Sequence, residues 1–188
     1  MRGAAHIRAL AAIGLTLAAA GCGSSSQTNS ATTSSAAGGP TATVRTCAGA
    51  QLAPSYAGTD GATGHMEVTI ALRNVSAHPC RIIGYPAARL LGAGGATLSF
   101  RVLHGHGFFP DTMTPPKRVL IRPGTSAHFG ISFPTNNEYS GAHTCRVVTA
   151  AMSAVPLRAT PQWRRISLRR APRISPCGDR LILSPIHA

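Results

Sequence analysis

The sequence predicts an all-β chain folded as a disulfide-braced antiparallel sandwich, and three observations carry that prediction. Apolar and polar residues alternate with period two in three separate segments, Gly and Pro interrupt the chain about every ten residues, and four cysteines lie beyond residue 45. Period two puts every second side chain on one face of a strand. Seven or more short strands separated by turn residues are the pattern of a sandwich. The span 45–188 has room for one such domain.

The elements follow in chain order. Met1-Arg2 and Arg8 precede an apolar run from Ala9 to Ala20. That run is shorter than the roughly 20 residues a membrane-crossing helix needs, and a basic start, a short apolar core and small residues at its end describe an export signal. Ala18-Ala19-Ala20 would suit an ordinary signal peptidase, whereas "LAAAGC" is similar to a bacterial lipobox ending at Cys22. The lipobox position three before the cysteine usually holds a larger aliphatic residue and here holds Ala19. Cysteine parity favours the lipobox. With Cys22, Cys47, Cys80, Cys145 and Cys177 the count is odd, and an exported chain would otherwise keep one oxidisable thiol. Residues 1–21 are therefore read as a lipoprotein signal and Cys22 as the lipid-bearing first residue. Each buried CH₂ of its diacylglyceryl group adds about 0.8 kcal/mol of anchoring.

Residues 22–44, "CGSSSQTNSATTSSAAGGPTATV", hold almost no large apolar side chain. Such a segment buries too little surface to offset the entropy of ordering it, so it reads as a flexible tether with a root-mean-square span of roughly 25 Å. Beyond it, "HMEVTIALRN" alternates Met66, Val68, Ile70 and Leu72 with Glu67, Thr69, Ala71 and Arg73, which predicts a strand with one buried face. Leu98, Phe100 and Val102 repeat the pattern, as do Phe129, Ile131 and Phe133. "KRVLIRPGTSAHFGISF" reads as strand, Pro123-Gly124 turn, strand. Shorter candidates are Arg81 to Gly84, Ala88 to Leu91, Thr144 to Ala150, Trp163 to Leu168 and Leu181 to Leu183. Four cysteines allow three pairings. Cys47 with Cys80 and Cys145 with Cys177 would each close a local loop, and the sequence leaves the nested pairing open.

The frame of Cys47, "LRNVSAHPCRIIGYP", "VLIRPGTSAHFGI", Cys145 and "CGDRLILSPI" resembles the actinobacterial exported proteins grouped as domain-of-unknown-function family 4232. Its most specific piece is N-x-S-x-x-x-C-x-x-x-G-Y-P, Asn74 to Pro86. The resemblance implies an immunoglobulin-like sandwich, frequent lipid anchoring and no assigned biochemistry. Two features depart from the family: the basicity and the insert "LHGHGFFPDTMTPPK". In physical terms Pro79 and Pro86 punctuate strand ends, Gly84 permits a sharp corner, and Tyr85 buries its ring. Asn74-Val75-Ser76 fits a glycosylation sequon, although a turn asparagine is the simpler reading.

Eighteen Lys and Arg face five Asp and Glu, a net charge of +13 that becomes +11 once Arg2 and Arg8 leave with the signal. An arginine-rich genome could write such a balance wherever a solvated cation is tolerated. The segment "QWRRISLRRAPR" is denser: Arg164, Arg165, Arg169, Arg170 and Arg173 fall within ten residues, with Trp163, Ile166 and Leu168 to anchor a strand. Close above a membrane such a patch would attract anionic lipid head groups or phosphate-bearing wall polymers at about 1 kcal/mol per cation. Nucleic acid suits the same charge but not an exported chain.

Catalytic chemistry is less supported. Asp60, Glu67, Asp111, Glu138 and Asp179 lie in different segments, so no paired carboxylates for acid–base work are visible, and "GTSAH" lacks a nucleophile elbow. His104 and His106, with Asp111 and Met113 close behind, could contribute to a soft copper-type site, yet no spacing is diagnostic and the segment reads as a loop. The remaining histidines are scattered. The expectation is a lipid-anchored, extracytoplasmic binding module without cofactor, metal or enzymatic activity. The alternative is a metal-handling or catalytic lipoprotein using the His104 to Met113 loop.

Overall fold

The computed structural model describes residues 43–105, 108–136, 144–154 and 162–188. The export signal, Cys22 and nearly all of the tether lie outside the described residues, as do His106, Glu138 and His143. Among the described residues the fold is sandwich-like and its regular structure is nearly all strand: β1 (Leu52–Ala62), β2 (His65–Asn74), β3 (Cys80–Ile82), β4 (Ala87–Leu91), β5 (Arg101–His104), β6 (Val119–Ile121), β7 (Ser126–Pro134), β8 (Ala150–Ala154), β9 (Arg164–Ser167) and β10 (Arg180–Leu183), with a short helix α1 (Pro110–Met113) and two 3-10 turns, Gly49–Gln51 and Ala93–Gly95. Strands β1-β2-β7-β10-β5 form one sheet in that order, β3 pairs with β6, and β4-β8-β9 form a third sheet. Among the described residues no helix is long and apolar enough to cross a membrane.

The core begins with the two most regular strands. In β2 and β7, Val68 stands opposite Ile131, Ile70 opposite Phe129 and Leu72 opposite Ala127, and all six are buried. Cross-strand pairs of this kind are the unit of sheet stability. Against this face pack Ile82 and Ile121 of the β3-β6 pair and Leu90, Ala151 and Ile166 of the three-stranded sheet. The Pro123-Gly124 turn, with Gly124 at φ 75°, does not fold β6 and β7 into a hairpin: it carries the chain from one sheet to another.

The strand expected around Leu98, Phe100 and Val102 begins only at Arg101, leaving Leu98 and Phe100 outside it and Val102 exposed, and three further departures from the sequence reading have physical causes. The longest strand, β1, was not expected, although its burial alternates from Leu52 to Gly58, because as a sheet edge it tolerates Pro54 and a bulge between Tyr56 and Gly58 that breaks the register. It joins β2 through Thr63-Gly64, both at positive φ, as a tight two-residue hairpin requires. The sheet is not wholly antiparallel, since β5 runs parallel to β10. Finally, the strand expected over Thr144 to Ala150 is displaced to β8, while Arg146 and Val148 hydrogen-bond instead to the carbonyls of Pro176 and Ile174.

Disulfides join Cys47 to Cys80 and Cys145 to Cys177, the local pairing. Such bonds fit an oxidising, extracytoplasmic compartment. Gly84 takes φ 103° at the corner between β3 and β4. Asn74 is buried, its amide nitrogen donating to the carbonyls of His78 (2.8 Å) and Ile121 (3.0 Å) while its oxygen accepts from the Ser76 amide and hydroxyl. It is a turn asparagine with its side chain fully used, which removes the sequon reading.

Candidate functional site: a guanidinium face on the three-stranded sheet

Strand β9 is the edge of its sheet, and its alternation decides where its arginines point. Ile166 and, just beyond, Leu168 are buried against the core, so Arg165 and Ser167 project from the outer face. Arg164 shares the inward side of Ile166 but stands at the start of the strand, where it remains exposed. Arg169 and Arg170 occupy the turn that follows, closed by the Ala171 amide on the Leu168 carbonyl, and with Arg173 they too are exposed. The five arginines thus lie at both ends and on the outer face of β9, with Arg164 and Arg165 on opposite sides of the strand.

Register brings in a cation the sequence did not flag. Arg89 of β4 and Arg165 of β9 both stand opposite Met152 of β8, so the two arginines share the outer face. The Arg89 guanidinium lies 4.0 Å over the ring of Trp163, within cation–π distance, and Arg165 reaches to within 3.3 Å of where a Gly95 side chain would begin. The ion pairs among the described residues are Arg180 with Asp179 and His187 with Asp111, so no described acid neutralises this face. The signal in the sequence was the outward position of Arg89 in "AARLL", legible only once the pairing of three strands is known.

Beside β4 an open cleft of about 530 Å³ runs toward β5, with Tyr85, Phe100, His104 and Trp163 on its walls. Tyr85 and His104 stack with ring centroids 4.4 Å apart. Tyr85 is half-buried, its ring resting on an imidazole.

Three of the acids scattered in sequence lie near one another: Asp60 stands opposite Glu67 in the β1-β2 register, and Asp111 of α1 acts on the same carboxyl. Glu67 stands on the polar side of the β2 alternation and was expected in solvent, yet it is only 5 % exposed. Its Oε2 has no hydrogen-bond partner among the described residues. Burial first, then the charges of Asp111 and Asp60, push its carboxyl up to about 7. A side chain at Gly130 would begin 2.3 Å from that carboxyl, so glycine is what leaves the space. Nearby, His187 approaches Asp111 at 3.4 Å. Burial and the adjacent His187 lower His128 below the usual histidine range. Glu67 is thus poised to hold a proton near neutrality, but its carboxyl is closed to solvent. In the His104 to Met113 loop, His104 is taken by Tyr85, Asp111 by His187, and Met113 is 65 % exposed. Among the described residues no three His, Cys, Asp or Glu side chains converge on a common metal position.

The family described as Domain of unknown function (DUF4232) matches residues 47–186. The chain belongs to this family. The match opens on Cys47, whose disulfide ties the start of the DUF4232 domain to β3, and ends on Ile186, buried with its amide on the Gly84 carbonyl. No curated protein and no solved structure matches the chain. Arg89, Arg165 and the Arg169 to Arg173 turn all fall inside the DUF4232 span.

Proposed function

We propose that this chain is an exported lipoprotein of the actinobacterial type, held at the outer face of the cell membrane by a diacylglyceryl group on Cys22. Its folded domain acts as a non-enzymatic binding module for anionic envelope components, either lipid head groups or phosphate-bearing wall polymers. The observation that carries this reading is the outer face of the three-stranded sheet, where Arg89 and Arg165 flank one register position, together with Arg164, Arg169, Arg170 and Arg173, which stand exposed at the two ends of β9. Unneutralised guanidinium groups on a rigid sheet present forked donors to phosphate and carboxylate oxygens. The tether read from residues 22–44 would keep that face within a few nanometres of the bilayer.

Retention of the membrane-extracted protein on anionic vesicles or on isolated wall material tests the proposal. We expect binding that weakens steeply between low and physiological salt and is lost when Arg164, Arg165, Arg169 and Arg170 are replaced by Ser. Equal retention of the two proteins at low salt would refute the patch. Intact-mass measurement of the same preparation, reduced and unreduced, reports the lipid on Cys22 and the two disulfides; a lipid-free Cys22 reactive toward a thiol probe would refute the anchor.

A further inference from the structure

The cleft beside β4 has the dimensions of a ligand site rather than of a packing defect: its volume of about 530 Å³ lies within the range of small-molecule pockets. Its walls bring together four rings from three segments, Tyr85, Phe100 with His104, and Trp163, with Leu98 and Val102 between them. Phe100 and Trp163 are half-buried and Val102 is 38 % exposed, so apolar surface faces the opening. Two guanidinium groups stand at these rings. Arg89 lies over Trp163 and has no hydrogen-bond partner among the described residues. Arg146 lies 5.2 Å from the Phe100 ring centroid and donates to the Ser99 carbonyl at 2.6 Å. No Asp or Glu lines the cleft.

Flat ring faces favour a ligand with a flat ring body. Cations without acidic partners favour a carboxylate, sulfonate or phosphate on that body. We infer that the cleft between β4 and β5 is a binding site for a small ring-bearing acid, its ring against the aromatic wall and its acidic group at Arg89. This rests on the anion-binding reading of the same sheet and adds to it a discrete pocket with a shape requirement. The one tryptophan of the chain is Trp163, so the site carries its own reporter.

The full chain, held in nanodiscs of zwitterionic lipid, is titrated by calorimetry and by tryptophan emission with 2-naphthoate and with the uncharged isostere 2-naphthamide. Naphthoate is expected to change the Trp163 emission and to bind at least tenfold more tightly than naphthamide. Arg89→Gln should remove most of that tenfold preference while leaving naphthamide unchanged. Val102→Tyr, which fills the cleft from its exposed wall, should abolish both. No binding of either probe, or equal binding of both, overturns the inference. The two readings separate cleanly: Val102→Tyr should leave salt-dependent retention on wall material intact, and the fourfold Arg-to-Ser replacement at 164, 165, 169 and 170 should leave naphthoate binding intact. If Val102→Tyr misfolds, Arg89→Gln decides by itself, because its side chain is exposed.

Discussion

Glu67 sets the most specific expectation at the scale of single residues. A carboxyl raised from its ordinary 4.5 to about 7 binds its proton more tightly in the folded chain than in the unfolded one. Its contribution to stability is therefore intact below about pH 4.5, declines as the pH climbs toward 7, and is lost above that. A shift of this size corresponds to about 3 kcal/mol. Glu67→Gln should match wild type near pH 4.5 and exceed its unfolding free energy by about that amount at pH 8; denaturant melts giving two parallel pH curves would contradict the assignment. His128, lowered by burial and by His187, acts in the opposite sense, losing its contribution as the pH falls through the histidine range. Asn74 is the other residue whose chemistry is used up internally. Replacing it with Ala removes its bonds to the His78 and Ile121 carbonyls and to Ser76 and should cost about 3 kcal/mol, read as a lowered denaturant midpoint at unchanged slope.

At the scale of elements, visibility in the sequence followed burial. Strands β2 and β7 were legible because they are central, and the alternation of Val68, Ile70 and Leu72 and of Phe129, Ile131 and Phe133 mirrors a core face directly. Strand β1 was not, since an edge strand can carry Pro54, Gly58 and Gly61 without losing central ladder bonds. The same alternation misassigned Glu67, because a period-two pattern distinguishes two faces but does not say that the second is also covered. For β9 the pattern has a direct test. Ile166→Ala should destabilise by about 3 kcal/mol, whereas Arg165→Ser, at an exposed position outside the core, should change stability by less than about 0.5 kcal/mol. Thermal or denaturant unfolding of the two variants measures both, and comparable losses would mean that the arginine face is structural.

At the scale of the whole molecule, three small sheets are held around one core with few large side chains, and the cross-links compensate. The disulfides span 33 and 32 residues, and closing a loop of that length in the unfolded chain is worth about 4 kcal/mol each. Replacing Cys47 and Cys80 together with Ser should lower the unfolding free energy by roughly that amount and loosen the first residues of the domain from β3, seen as faster hydrogen exchange at the Cys47 amide, which bonds the Arg81 carbonyl. Unchanged stability after the double replacement would mean that the core alone is sufficient.

The class of fold, the central strands and the turn residues were readable from the chain itself, because alternation, Gly and Pro act locally and need no partner to be recognised. The charge excess and the odd cysteine were readable for the same reason: they are counts. Which strands are neighbours was decided only in three dimensions, and with it the meeting of Arg89 with Arg165, the ring-lined cleft beside β4 and the sealing of Glu67. Pairing between distant segments depends on how several faces cover one another at once, and no local pattern along the chain encodes that.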